Sequence, residues 1–111
     1  MSKFAAKMDD YKAELAKAGV SNVDEALLEK IARGQGPSIY LKDASLVSCS
    51  DEAELDRVRN NFATKKLGVA AGADLDNAIQ AVCKKYDSRQ KRRIVFYYML
   101  TKELGKESAL G

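Results

Sequence analysis

The sequence predicts a single all-α domain over residues 1–111, an array of about five helices packed around a hydrophobic C-terminal helix. Three observations lead to this prediction. Apolar residues recur at helical spacing in one segment after another. Gly and Pro fall between these segments, where helices end. Finally, residues 94–100 are all apolar, and a helix that is apolar around its whole circumference must be enclosed by protein.

The first two helices are predicted from their apolar stripes. The first stripe repeats at spacings of four, three and four residues, and the helix ends at Gly19: Phe4, Met8, Tyr11 and Leu15. The second helix has Ser21 or Asn22 as its predicted N-cap, followed by its own stripe: Val23, Leu27, Leu28 and Ile31. Pro37 ends this helix, because it bars Gly36 from the helical region.

Residues 37–49 are the least periodic part of the chain, and we predict a short helical turn at Pro37 followed by a loop. A third helix is expected to begin at Ser50, because the acidic residues after it favour the positive end of a helix dipole. Its stripe consists of Leu55, Val58 and Phe62, and Gly68 closes it.

The last two helices follow a linker of small residues. Asp74 is the predicted cap of the fourth helix, whose apolar residues are Leu75, Ala78, Ile79, Val82 and Tyr86. Ser88 is the predicted cap of the last helix, which runs from about Arg89 to Leu104 and stops at Gly105. This last helix contains the apolar run and is placed at the centre of the array.

The composition excludes the commonest catalytic and metal sites. The chain has no His and two Cys, so Ser-His-Asp and Cys-His pairs are absent, as is the commonest zinc ligand. We therefore predict no catalytic residue, no metal site and no cofactor. A protein that is not an enzyme is favoured.

The sequence also predicts a cytoplasmic protein that does not enter a membrane. No apolar run approaches the roughly 20 residues needed to span a bilayer, and acidic residues interrupt the amino terminus before a signal peptide can form. Without an export signal, Cys49 and Cys83 are expected to be reduced, and Cys49 to be an unreactive thiol.

Charge is concentrated late in the chain. Six of the ten residues from 84 to 93 are basic, and five of them form a candidate anion-binding cluster: Lys84, Lys85, Arg89, Arg92 and Arg93. Positive charge at a helix N-terminus opposes the helix dipole, and a bound anion would relieve that conflict. The alternative is that carboxylates such as Asp51, Glu52 and Glu54 neutralise the cluster within the fold or across a dimer.

Several short strings spread over nearly the whole chain form a recognisable set. They are Gly36-Pro37-Ser38-Ile39-Tyr40, Asp43-Ala44-Ser45, Asn60-Asn61-Phe62, Lys65-Lys66-Leu67-Gly68, Tyr97-Tyr98 and Leu104-Gly105-Lys106-Glu107-Ser108. Together they resemble the domain of unknown function 2853 family of short bacterial proteins. The resemblance implies a bacterial, cytoplasmic, single-domain protein and brings no activity, cofactor or catalytic residue with it.

The resemblance also draws attention to the segment from Pro37 to Ser45. Loops on helical scaffolds often carry functional sites, so we consider a loop site formed by Ser38, Tyr40, Asp43 and Ser45. The alternative is that its Ser and Asp side chains only cap and satisfy the backbone of a tight turn.

These observations favour a small non-catalytic interaction protein that binds itself or a protein partner. The alternative is a protein that binds an anion, such as a nucleic acid or a phosphorylated ligand, through residues 84–93. An enzyme is the third choice, and its site would lie near Tyr40 and Asp43.

Overall fold

Five α-helices make up most of the computed structural model, which describes residues 2–110. They are α1 (Lys3–Lys17), α2 (Glu25–Gln35), α3 (Glu52–Arg57), α4 (Ala73–Lys85) and α5 (Arg93–Leu104). A π-helical segment, Val58–Thr64, continues α3, and short 3-10 helices span Gly36–Tyr40 and Glu107–Leu110. Strands β1 (Leu46–Val47) and β2 (Lys91–Arg92) pair in antiparallel fashion, with Leu46 opposite Arg92.

Helix α5 lies at the centre of the molecule, as the sequence predicts. No residue from 94 to 100 is more than 5% exposed, and α1, α2, α4 and the π-helical segment all contact this helix. The all-α prediction with a buried C-terminal helix is therefore confirmed. Among residues 2–110, no helix combines the length and apolarity that crossing a lipid bilayer requires.

The two N-terminal helices bury the predicted faces, but α2 begins later than predicted. In α1, Tyr11 and Leu15 are buried. The cap of α2 is Asp24, whose carboxylate accepts a hydrogen bond from the Leu27 amide at 3.1 Å. The predicted caps, Ser21 and Asn22, lie before the helix because the chain turns there, with Asn22 at a φ of 54°.

The start of α4 also differs from the prediction. Gly72 occupies the N-cap position and makes no side-chain capping bond. Asp74 lies inside the first turn, together with Asp76, where a carboxylate still favours the positive end of the helix dipole. At α3, Asp51 rather than Ser50 is the cap, and its carboxylate accepts from the Ala53 amide at 3.0 Å.

The prediction that the last helix starts near Arg89 is wrong. Helix α5 begins at Arg93, and Ser88 does not cap it: the Ser88 hydroxyl accepts a bond from the Gln90 amide within the preceding turn. The residues before α5 are extended because they pair with β1. The Arg93 amide continues this pairing by donating to the Ser45 carbonyl at 2.8 Å.

The prediction of two reduced thiols is also contradicted. Cys49, in the turn before α3, and Cys83, in the last turns of α4, form a disulfide that closes a separation of 34 residues. Both residues are half-buried and pack against the core. The expectation rested on the absence of an export signal, and the sequence spacing of the two residues carries no information on their distance in space.

Candidate functional site

The β1–β2 pair brings the two candidate sites of the sequence analysis side by side. β1 follows directly after residues 37–45, which we call the anchored loop, and β2 lies within the basic stretch that precedes α5. The short strands therefore place the anchored loop against Arg92 and Arg93. Sequence separation alone gave no sign of this contact.

Arg93, the first residue of α5, binds the end of the anchored loop. Its Nε donates to the Ala44 carbonyl at 2.7 Å, and one terminal nitrogen donates to the Leu46 carbonyl at 3.0 Å. The residue is only 8% exposed. A planar guanidinium can satisfy two carbonyls at once in this way, so Arg93 defines where the anchored loop joins the core.

The remaining contacts of the Arg93 guanidinium are made with side chains of the protein itself. It forms an ion pair with Glu54, which Arg57 also contacts, and it donates to the Tyr97 hydroxyl at 3.0 Å. The Tyr97 ring in turn stacks on Phe62, with centroids 3.9 Å apart. Glu54 was one of the carboxylates expected to neutralise the cluster, and this ion pair shows that it does so for Arg93.

Arg92 extends in another direction, towards α1. Its guanidinium makes two bonds to the Asp10 carboxylate, at 3.0 and 3.2 Å, and a third to Glu14 at 3.1 Å. Glu14 is buried and also accepts a bond from the Tyr86 hydroxyl at 2.7 Å. The network ties the start of α5 to the N-terminal helix.

The charge state of Glu14 depends on this network. Burial acts to raise the pKa of Glu14, but the hydrogen bond from Tyr86 and the positive charge of Arg92 together lower it below the ordinary value. A lowered pKa in the folded state stabilises the fold above the ordinary Glu pKa of about 4.3, and this contribution is lost as the pH falls through the folded-state pKa.

We expect Glu14→Gln to make the free energy of unfolding less dependent on pH in the acid range. The free energy of unfolding of the unmodified protein falls as the pH drops below about 5, and the variant shows a shallower fall because it has no carboxylate to protonate. Chemical denaturation at a series of pH values measures both slopes. Glu29→Gln, on an exposed part of α2, is the control and keeps the original slope; equal slopes for all three proteins would contradict the assignment.

The five basic residues of the candidate cluster do not converge on one ligand position. Arg92 and Arg93 bind different carboxylates on different helices. Lys84 and Lys85 are exposed in the last turn of α4, and Arg89 is exposed in the turn before β2. Within residues 2–110, these last three have no carboxylate within 4.0 Å.

The structure gives the side chains of the anchored loop different roles. The Ser38 and Ser45 hydroxyls donate to the carbonyls of Gln35 and Lys42, at 2.8 and 3.2 Å. Asp43 is exposed and lines a cleft of about 440 Å³ with Ser38, Asn61 and Tyr97. The two serines thus satisfy local backbone, as the turn alternative expects.

Tyr40 stands apart from these polar residues because it is exposed next to Leu41. The two side chains are 43% and 58% exposed, and they are the exposed large hydrophobic residues of the described chain. Leu41 was not among the candidate site residues. Its signal in the sequence was a large apolar side chain in a segment without helical periodicity.

The chain was compared with known protein families and with curated proteins. The family model described as "Protein of unknown function (DUF2853)" matches residues 10–108. This range begins at Asp10, the partner of Arg92, and includes the anchored loop and both strands. The search of curated proteins gave no match. Since the match covers nearly the whole chain, the protein belongs to the DUF2853 family of proteins of unknown function.

Proposed function

We propose that this protein is a small non-catalytic interaction protein that binds an acidic, partly apolar segment of another protein through the anchored loop. Tyr40 and Leu41 supply the apolar contact. The observation that carries the proposal is their joint exposure on a loop that the core holds in place. Exposed neighbouring apolar side chains in a soluble fold mark interaction sites more often than isolated ones do.

The fixed position of the anchored loop supports binding. Arg93 holds both ends of the Ala44–Leu46 stretch, and the Ser45 amide donates to the Leu41 carbonyl at 2.9 Å. A loop that is already ordered loses less conformational entropy when a partner binds. Fully burying an exposed leucine side chain contributes roughly 1.5–3 kcal/mol, and covering Leu41, which is 58% exposed, contributes a part of that.

Charge next to this apolar pair favours an acidic partner. Lys7 and Lys42 line a cleft of about 400 Å³ beside the anchored loop, together with Asp10 and Arg92. Asp10 is held by Arg92, whereas in the described chain neither lysine has a carboxylate within 4.0 Å. An acidic side chain of a partner would find two uncompensated positive charges there.

A photo-reactive amino acid at position 41 tests this proposal. We expect it to crosslink in cells to a partner whose captured peptide contains acidic and apolar residues. The same amino acid at Gln80, which is exposed on α4, is the matched control and should not capture that peptide. The partner must then bind the purified protein, and Leu41→Glu must weaken this binding at least about tenfold, the equivalent of 1.4 kcal/mol.

Three outcomes would count against this proposal. A crosslink between two copies of the chain would show that the anchored loop binds a second copy of this protein and not an acidic partner. Equal capture at positions 41 and 80, or unchanged affinity in Leu41→Glu, would remove the anchored loop as the binding site.

The second candidate function is binding of a nucleic acid or a phosphorylated ligand. It is favoured by Lys84, Lys85 and Arg89, which are exposed and lack a carboxylate neighbour among residues 2–110. Binding of labelled DNA and RNA between about 50 and 200 mM salt tests it, because contacts to phosphate weaken steeply over that range. No binding at the lowest salt concentration would rule it out.

A cytoplasmic location in a bacterial cell stays a prediction. The disulfide weighs against a compartment that is always reducing, since disulfides persist mainly in oxidising environments. In a reducing compartment a disulfide is usually a transient or redox-sensing one.

A further inference from the structure

The Cys49–Cys83 disulfide borders a cleft that includes neither Tyr40 nor Leu41, the apolar contact residues of the proposed interaction. The cleft has a volume of about 590 Å³ and lies between the turn after β1 and the turn before β2. Cys49 is among its lining residues and Cys83 is not. Of the two cysteines, a molecule in the cleft therefore contacts Cys49 and not Cys83.

The cleft is suited to an anionic molecule. Arg89 and Lys91 line it and, within residues 2–110, have no carboxylate within 4.0 Å. Two acidic residues also face it: Glu54 is neutralised by Arg93 and Arg57, and Asp43 is exposed to solvent. Positive charge therefore exceeds the unpaired negative charge.

Hydroxyl groups complete the lining. Ser48, Ser50 and Ser88 all contribute, and the Ser48 and Ser50 hydroxyl oxygens lie 3.1 Å apart. Hydroxyls donate well to carboxylate oxygens. Next to the half-buried Cys49, these donors and the two cations match a small thiol that carries carboxylates.

We propose that the disulfide is a reversible modification site, opened by a low-molecular-weight thiol with carboxylate groups that attacks Cys49 from this cleft. The proposal is independent of the interaction function. It assigns a specific role to each sulfur: Cys49 receives the small thiol and Cys83 leaves.

The reaction balances as two thiol–disulfide exchanges. The small thiolate forms a bond to the Cys49 sulfur, the Cys49–Cys83 bond breaks, and Cys83 leaves as a thiolate that takes up a proton. A second small thiolate then attacks the sulfur of the first, which releases Cys49 as a thiolate and a small-molecule disulfide. Two small thiols are oxidised, and the protein disulfide is reduced.

Glutathione, with two carboxylates, is the probe for the test. The folded protein is treated with it, quenched in acid, alkylated and mapped by mass spectrometry. We expect the glutathionyl group on Cys49 and the alkyl group on Cys83. The opposite pattern, or opening only in denaturant, would overturn the proposal.

A second thiol without carboxylates, 2-mercaptoethanol, shows how the rate of disulfide opening depends on the charge of the thiol. The rates of opening by the two thiols are compared at equal thiolate concentration. We expect the double variant Arg89→Gln/Lys91→Gln to lower the ratio of the glutathione rate to the 2-mercaptoethanol rate by roughly threefold to tenfold, the range for two partly screened charges. Lys65→Gln/Lys66→Gln removes the same charge outside the cleft and should leave this ratio unchanged.

Salt provides a measurement that needs no variant. In the unmodified protein, the ratio of the glutathione rate to the 2-mercaptoethanol rate should fall as ionic strength rises, because salt screens exposed charges. A ratio that depends neither on salt nor on Arg89 and Lys91 would show that the cleft does not select an anionic thiol.

Discussion

Replacing Arg93 with methionine is expected to lower the free energy of unfolding by about 3–5 kcal/mol, the usual cost of removing one partner of a buried ion pair. Glu54 would lose its main buried cation, and the Ala44 and Leu46 carbonyls would lose their hydrogen-bond donor. Urea denaturation of the variant and the unmodified protein measures the difference.

Arg57→Met is the matched control for this experiment. Arg57 contacts the same Glu54 carboxylate, but its side chain is 60% exposed, and exposed ion pairs contribute only about 0–1 kcal/mol. A loss below about 1 kcal/mol in Arg93→Met, or equal losses in the two variants, would contradict the anchoring role of Arg93.

Removing the disulfide is expected to have the second largest effect. The double variant Cys49→Ser/Cys83→Ser should lose about 3–4 kcal/mol, because the bridge closes a 34-residue separation and restricts the unfolded chain accordingly. Thermal and chemical denaturation measure this loss. The unmodified protein kept reduced should match the variant, and a reduced protein as stable as the oxidised one would contradict this estimate.

The helical architecture was predictable because it follows from local periodicity. The stripe containing Tyr11 and Leu15 and the fully apolar run of α5 each specify which side of a helix must be buried. The predicted stripes are buried or packed against the core in the structure. The position of α5 at the centre followed from the same reasoning, because its whole circumference is apolar.

The β1–β2 pair and the true start of α5 could not be predicted in this way. Each strand has two residues, which is too short for an alternating pattern. What makes them strands is a long-range contact, the pairing of Leu46 with Arg92 and of Val47 with Lys91. The helical pattern therefore predicts a start near Arg89, whereas strand pairing holds the residues before Arg93 in an extended conformation.

The partners of the basic residues were only partly predictable. Glu54 was among the carboxylates considered, but Asp10 and Glu14 were not, because they lie about 80 residues away from Arg92 in the sequence: separations of 82 and 78. The disulfide was missed because the absence of an export signal favoured reduced thiols, and the sequence does not show that Cys49 and Cys83 meet in the fold. Local patterns identify a residue's element, whereas the partner across the fold depends on how the elements pack.

The central claim of this account is that Arg93 holds the anchored loop in one conformation, which presents Tyr40 and Leu41. Hydrogen exchange of the Ser45 amide, followed by NMR, tests it most directly, because this amide donates to Leu41 within the loop. The account predicts exchange at least roughly tenfold slower than in an unstructured chain. In Arg93→Lys this protection should be lost, while the Val82 amide in α4 stays protected. Exchange of Ser45 at the unstructured rate in the unmodified protein would contradict the account.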